Sequence, residues 1–504
     1  MYVIVVVCII FNVSKIAPSL KEILKNTKPD EKIAVLVHLK EKPDYELIKN
    51  LSAEDYVEFL KNFSENSQRN ILNYLYENFI NQIKEIKPYW IFNGFYLKAT
   101  KEVIENLAKS EEINYIIEDF VVKIEKPEIS FEIRTPEWNI SRIKADSCWI
   151  YGYTGEGIII GEMDTGVDTS HPALQGKFEG HWYDAVNGQP VPYDDHGHGT
   201  HVMGIILGGD GLGPFTEDIG VAPDAQFTVC KVFNQSGSAQ VSWLHAGFQK
   251  IAEWKGQGVD IKAVNNSWGS SNTTSLEFWD DCMNLKNLRI IPVFSIGSSG
   301  PSPGTTATPG NFPIVTGAGA TDANDNIANF SSRGPAPNQP PWNDPQYWTR
   351  PDWNLTKPDI SAPGVSIRSS VPGGGYQTWS GTSMSTSHLT GAIAILYQKN
   401  PNLDFYQVYQ ILTDYAYHPP QGQPYPNNNY GWGRLDLSWV YQVAVEENNQ
   451  NKDTGNNGWY KWKVYDVTGR TIGNYSDLKN RMHKKGIYFI IKPLNKKIKT
   501  LILK

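Results

Sequence analysis

From residue 157 onward, short apolar runs alternate with helical stretches. The runs are GIIIGEMD (157–164), FTVCKVF (227–233), IKAVNNSWG (261–269), RIIPVFSIG (289–297) and FPIVTGAGA (312–320), with a helical pattern at 239–254 between two of them. Strands this short and continuously apolar are buried on both faces, which a mostly parallel sheet with helical crossovers achieves. The expectation is an α/β, doubly wound unit with helices on both faces, over residues 136–445. In open sheets of this kind the working residues gather at the carboxyl ends of strands. The unusual residues of this chain fall there.

A length of 504 residues exceeds one ordinary domain of roughly 100–200 residues, and the texture changes on either side of this unit. Residues 30–125 predict a small α+β domain: a strand (IAVLVHL), an amphipathic helix over 53–86, a strand over 89–99, a helix over 101–109 and a strand over 113–124. The Pro- and Glu-containing stretch 126–137 predicts an exposed connector. Residues 446–458 (EENNQNKDTGNNG) predict a linker, and 459–504 alternates like β-strand and is basic. At the amino end, the apolar run Val3–Val13 is too short for a bilayer crossing of about 20 residues. It reads as the core of a signal peptide over 1–16.

Charge and cysteine usage exclude several classes. With 46 Lys+Arg against 53 Asp+Glu the net charge is −7, which argues against a protein driven by phosphate neutralisation, so no nucleic-acid partner is expected. Four cysteines, none in a C-x-x-C pair, are too few for a disulfide scaffold and read as buried free thiols.

Three blocks carry chemistry, in the order Asp, His, Ser. In GEMDTGVDTSHP, strand residues deliver Asp164 to a Thr-Gly turn; in DDHGHGTHVMG, glycines flank His198 where a helix opens; in GTSMSTSHLTGAIAILYQK, Ser383 sits at a helix start, with backbone N–H groups available to developing negative charge. Singly, these residues would cap a turn, fill a structural role and cap a helix. Together they supply the orienting carboxylate, base and nucleophile that acyl transfer requires. A second D-T-G, at Asp453, would complete an aspartic-peptidase pair, but it lies in the Asn-rich stretch without apolar flanks to bury a carboxylate.

The chain order of the three blocks resembles that of the subtilisin-like serine peptidases. The resemblance runs from about residue 138 to 443 and includes GVAPDAQ (220–226), FSSRGP (330–335) and KPDISAPG (357–364). It implies a secreted or cell-surface endopeptidase acting on polypeptides, most simply a monomer. Ser383 is then the nucleophile, His198 the base and Asp164 the residue that fixes the imidazole. Ser267, Trp268 and Gly269 match the edge segment that pairs with substrate backbone, with Gly297 across the cleft and Trp268 walling a subsite or packing in the core. Where the family places an oxyanion-donating Asn, this chain has Ser298. No cofactor is implied beyond structural calcium, and the usual high-affinity site looks absent: Ala173 stands where an Asp is usual, and the loop 208–218 does not match its partner.

The amino-terminal unit resembles the family's inhibitory prosegment, an intramolecular partner cleaved between about residues 123 and 135. The carboxyl-terminal segment resembles type IX secretion sorting domains, through Val464–Arg470 (VYDVTGR), Gly486-Ile487-Tyr488 and Lys504, which implies that secretion machinery as a partner. Between 334 and 356 lies an insert rich in Pro and Trp, read as packing over the sheet. Small Ala307 near the floor of the expected primary pocket favours an apolar side chain. The competing reading is a catalytically silent fold kept as a binding module, supported by Ser298.

Overall fold

The computed structural model describes residues 14–124, 127–130, 137–350 and 354–440, together with strands at 463–466, 471–474, 486–491 and 498–503. Its centre is a seven-stranded sheet in the spatial order Ile360–Pro363, Thr316–Thr321, Ile291–Ser295, Ile261–Asn266, Ile159–Asp164, Gln226–Lys231, Phe178–Asp184. Every pairing in it is parallel. The apolar runs form it as the sequence predicts; the two edge strands, Phe178–Asp184 and Ile360–Pro363, are additions. The first is partly polar and half-buried, and the second is only four residues long, so neither gives a clear apolar run.

The chain enters at Ile159–Asp164, near the middle, builds one edge, and then crosses to Ile261–Asn266 to build the other. That reversal opens a crevice at the carboxyl ends of the two central strands, where Asp164 and Asn266 stand. Inward residues alternate between the faces. Ile160, Ala263 and Val293 pack with Leu389 and Ile393 of the helix Thr382–Lys399, whereas Met163, Val264 and Phe294 pack with Phe248 and Leu285 of the helices Val241–Gly256 and Trp279–Asn287. The doubly wound α/β expectation holds.

The amino-terminal unit is an antiparallel sheet in the order Ile83–Tyr89, Gly94–Thr100, Lys32–Leu39, Ile113–Glu118, with the helices Ala53–Phe79 and Lys101–Leu107. Val35, Val37, Phe95, Leu97 and Val103 form its own core. Leu36, Tyr56, Val57, Phe92 and Val122 instead share a cluster with Phe248 and Leu285, so this unit sits on the two helices that cover the outer face of the central sheet. The seat is polar as well. The Tyr56 hydroxyl donates to Asn284 at 2.8 Å. The Asp119 carboxylate accepts from the backbone N–H and hydroxyl of Ser242, at 2.9 and 2.8 Å, capping the helix Val241–Gly256 from outside its own unit.

Several boundaries differ from the sequence expectation. The long helix ends at Phe79, and residues 83–89 leave it to become a strand. The strand expected over 89–99 is the second arm of a hairpin, turning at 90–93 before Gly94–Thr100. The strand expected over 113–124 is two, Ile113–Glu118 and Val121–Lys123. A helix at Pro18–Asn26, ahead of the expected domain start, buries Leu20 and Leu24 in the same core. In the first three cases apolar periodicity continued across a turn that only pairing defines.

The carboxyl-terminal strands form an antiparallel sheet in the order Thr471–Asn474, Lys463–Asp466, Gly486–Ile491, Ile498–Leu503. The linker at 446–458 and most of the leader at 1–16 lie outside the described residues. Cys148, Cys230 and Cys282 are buried free thiols. In the insert, Trp342 and Trp348 are buried; Trp342 Nε1 donates to Asn311 at 2.9 Å and Trp348 Nε1 to the Trp342 carbonyl at 2.6 Å, so these two pack rather than bind. Among the described residues no helix is long and apolar enough to cross a membrane.

Candidate active site

Asp164 ends the central strand Ile159–Asp164, and His198 opens the helix His198–Leu207. Both are fully buried. His198 Nδ1 donates to Asp164 at 2.8 Å to Oδ1 and 3.0 Å to Oδ2, and Thr165 N–H donates to Oδ1 at 2.7 Å. A proton held on Nδ1 leaves Nε2 with a free lone pair, and that atom is buried without a protein partner. The two backbones approach so closely that a Cβ on Gly199 would lie 2.0 Å from the Gly166 carbonyl oxygen, so no side chain fits there.

A shell not legible in the motifs holds this pair. Asp194 Oδ1 accepts from the Thr165 hydroxyl at 2.9 Å and from Gly197 N–H at 2.8 Å, while its Oδ2 accepts from Thr200 N–H and hydroxyl. Lys231, wholly buried, donates to the Thr165 carbonyl and to Asp195, each at 2.6 Å. Below Asp164, Glu162 is buried with both carboxylate oxygens unpartnered, and desolvation pushes its pKa well above the usual carboxylate range. The same desolvation favours its neutral form, the one that adds no charge beside the pair.

Ser383 is the second residue of the helix Thr382–Lys399 and is half-buried. Its hydroxyl donates to the Ser267 carbonyl at 3.0 Å. It makes no hydrogen bond to His198 Nε2 here. Ser298 lies on the same side, its hydroxyl 3.1 Å from that of Thr382. The Ser383 backbone N–H lies at the helix start, where the first N–H groups have no intrahelical acceptor.

Ser267 and Gly269 follow the strand Ile261–Asn266. A Cβ on Gly269 would sit 3.0 Å from the Ala307 Cβ, and one on Gly297, at φ 103°, 2.9 Å from it. Ala307 thus packs against both glycines. Trp268 corrects one expectation: it is 2% exposed, its Nε1 donates to the Met163 carbonyl at 3.0 Å, and it packs on Phe233, Phe248, Phe278 and Phe294. Its indole is core and walls no subsite, leaving only its backbone for the cleft.

A second edge was missed because residues 239 and 240 continue a helical pattern. Ser238–Gln240 is a short strand, and Val121–Lys123 of the amino-terminal unit pairs antiparallel with it, Val122 opposite Ala239. Ile124 N–H donates to the Gly237 carbonyl at 2.8 Å. Val122 and Ile124 are buried while Val121 and Lys123 face outward. Further on, Glu128–Ser130 pairs antiparallel with Gly375–Ser380, the strand that leads into Ser383. Of the stretch expected to be an exposed connector, residues 128–130 are thus held in a sheet.

The expected calcium position carries a cation of its own. Lys177 Nζ donates to the carbonyls of Leu207, Gly209 and Pro223, beside the loop 208–218, and Ala173 supplies no carboxylate. Carbonyls converging on one point suit a hard cation. Here they converge on an ammonium, so the residues present do not fit a calcium ion at that point.

The fold and the buried Asp–His pair point to a class. The chain belongs to the subtilase family of serine endopeptidases: the model of the subtilase family matches residues 155–433, and that of the peptidase inhibitor I9 matches residues 34–125. The chain is 34% identical over 418 residues to Bacillopeptidase F of Bacillus subtilis (strain 168), covering 75% of itself and 28% of that much longer protein. It is 32% identical to an alkaline protease of Alkalihalobacillus alcalophilus, covering 64% of itself and 73% of the relative, and 34% identical to Subtilisin Savinase of Lederbergia lenta, at 55% and 90%. The amino-terminal unit is an inhibitor-type prosegment domain.

Proposed function

We propose that the chain is a secreted, self-processing endopeptidase whose acyl-enzyme forms on Ser383. The Ser383 hydroxyl attacks the scissile carbonyl and passes its proton to His198 Nε2; Asp164 holds the proton on Nδ1 and stabilises the imidazolium. The oxyanion is met by the Ser383 N–H and the Ser298 hydroxyl. His198 returns the proton to the leaving amine, and water then releases the acyl group by the same route. Substrate backbone pairs between Ser238–Gln240 and Ser267–Gly269 as an added strand, and Ala307 leaves room for an apolar side chain. Neither calcium nor another cofactor enters this chemistry.

The observation that carries the reading is the path of the prosegment tail. Residues 121–124 run beside Ser238–Gln240 and residues 128–130 beside the strand that leads into Ser383, which supports a maturation bond between Ile124 and Glu128. Export is supported by the apolar leader, and delivery through a type IX-like machinery by the VYDVTGR motif, whose first three residues lie in the strand Lys463–Asp466 of a four-stranded sheet.

The test compares purified precursor with its Ser383→Ala variant by intact mass, followed by casein hydrolysis and labelling with a fluorophosphonate. Wild type alone should lose a fragment ending within 124–128 and take the label. If both chains stay whole and unlabelled while a control subtilisin matures, the fold is a silent binding module.

A further inference from the structure

Far from Ser383 along the chain, three buried side chains converge on the boundary between the prosegment and the enzyme. His38 is the penultimate residue of the prosegment strand Lys32–Leu39; His245 lies in the helix Val241–Gly256; Glu277 precedes the helix Trp279–Asn287. They are 2%, 0% and 3% exposed. His38 Nε2 lies 2.8 Å and His245 Nε2 3.1 Å from the same oxygen, Glu277 Oε1. One ligand atom from each falls within 4.8 Å of the others.

We propose that His38, His245 and Glu277 form a site for a divalent transition ion, zinc by the chemistry of its donors, that clamps the prosegment to the enzyme. Two imidazole nitrogens and a carboxylate oxygen are a ligand set zinc takes, and tetrahedral ligands at about 2.0–2.1 Å stand roughly 3.3 Å apart, against 2.8 and 3.1 Å from the two imidazoles to the shared carboxylate oxygen here. The surroundings are those of a metal site. Asp281 Oδ1 lies 3.0 Å from His245 Nδ1 and fixes the proton there, leaving the Nε2 lone pair facing Glu277. The Tyr115 hydroxyl donates to Glu277 Oε2 at 3.0 Å, leaving Oε1 for the ion. Tyr115 stacks on the His38 ring at 4.1 Å, and Phe92 sits 4.6 Å from His38 and 4.2 Å from His245.

Charge agrees with geometry. Glu277 and Asp281 bring two negative charges into a buried space, and Asp281 Oδ2 has no partner. The Lys42 ammonium pairs with Asp280, next to Asp281 in the chain, at 2.6 Å. A doubly charged ion beside two neutral imidazoles balances the two carboxylates. Because His38 belongs to the prosegment and the other two ligands to the enzyme, the full set exists only in the precursor or the prosegment complex, and the ion slows release of the inhibitor. This consequence rests on the inhibitory role of the amino-terminal unit; the binding site does not.

The test uses the tag-free, full-length Ser383→Ala chain, which stays whole whether or not Ser383 is the nucleophile, so failure of the peptidase reading leaves the measurement intact. After dialysis against chelator it is titrated with Co²⁺ and then Zn²⁺. One ion per chain by elemental analysis, a tetrahedral Co²⁺ visible spectrum displaced by Zn²⁺, and affinity lower by at least about tenfold in His38→Gln and in His245→Gln are expected. Asp281→Asn, which keeps all three ligands, should lower affinity by about 10–100-fold and covers the case in which a ligand variant does not fold. If the parent chain retains no more zinc than the double His38→Gln, His245→Gln variant, the cluster is a proton-bridged imidazole–carboxylate network and the proposal is overturned.

Discussion

Asp164 Oδ1 lies 2.8 Å from His198 Nδ1 across 34 residues of chain, and this bond assigns the tautomer that leaves Nε2 as the base. Asp164→Asn keeps the shape and offers an amide that can hold the ring in the wrong tautomer. A fall in kcat of about 10⁴-fold, with KM nearly unchanged, is expected. Steady-state kinetics on a peptide anilide check it.

Ser298 presents a short, rotatable hydroxyl where an amide is usual, and it is shared with Thr382 at 3.1 Å. For the corresponding Asn of a subtilisin, removing the donor costs about 10²–10³ in kcat. Ser298→Asn should therefore raise kcat by about tenfold or more without moving KM, and a fall in kcat would show that the hydroxyl is the better fit to this oxyanion.

Lys177 holds three backbone carbonyls together. Lys177→Met strands them in a partly buried site, at a cost of about 1–3 kcal/mol for an unmade bond. Thermal denaturation should show the mature enzyme losing several degrees of Tm. The wild-type mature enzyme should keep both Tm and activity in excess chelator.

Asp119 caps an enzyme helix from the prosegment, through the N–H and hydroxyl of Ser242. Asp119→Ala should weaken the separated prosegment as an inhibitor in trans by about 1 kcal/mol, roughly a fivefold rise in its inhibition constant. Equal inhibition by both prosegments would remove this contact from the energetics of the complex.

Two histidines behind the site are buried neutral, His201 pushed down to about 3 and His388 to about 4 by desolvation. His388 donates from Nδ1 to the Met384 carbonyl at 2.7 Å and accepts at Nε2 from Asn139 at 2.8 Å, so protonation breaks a bond. Both folded values lie below the unfolded value of about 6.5, so the unfolded chain binds more protons. Stability is full above about pH 6.5 and declines as pH falls toward 4, by about 1.4 kcal/mol per pH unit for each group. Urea midpoints should drop between about pH 7 and pH 5, and drop less in His388→Gln.

The sequence by itself determined the five inner strands of the central sheet and singled out the three residues proposed to react. Strand identity follows from local apolar runs such as IIIGEMD, and Asp164, His198 and Ser383 sit in blocks whose glycines and helix starts are themselves local. Prosegment and tail were likewise legible as changes of texture. Tertiary structure decided what depends on distant partners. Trp268 reads equally as wall or core until four phenylalanines surround it. Ser238–Gln240 is a strand only because Val121–Lys123 pairs with it, Lys177 reads as an ordinary surface lysine until three carbonyls face it, and His38 meets Glu277 across 239 residues. Periodicity records what a residue needs from its neighbours in sequence, whereas burial, pairing and charge compensation are settled by whichever segment the fold brings against it.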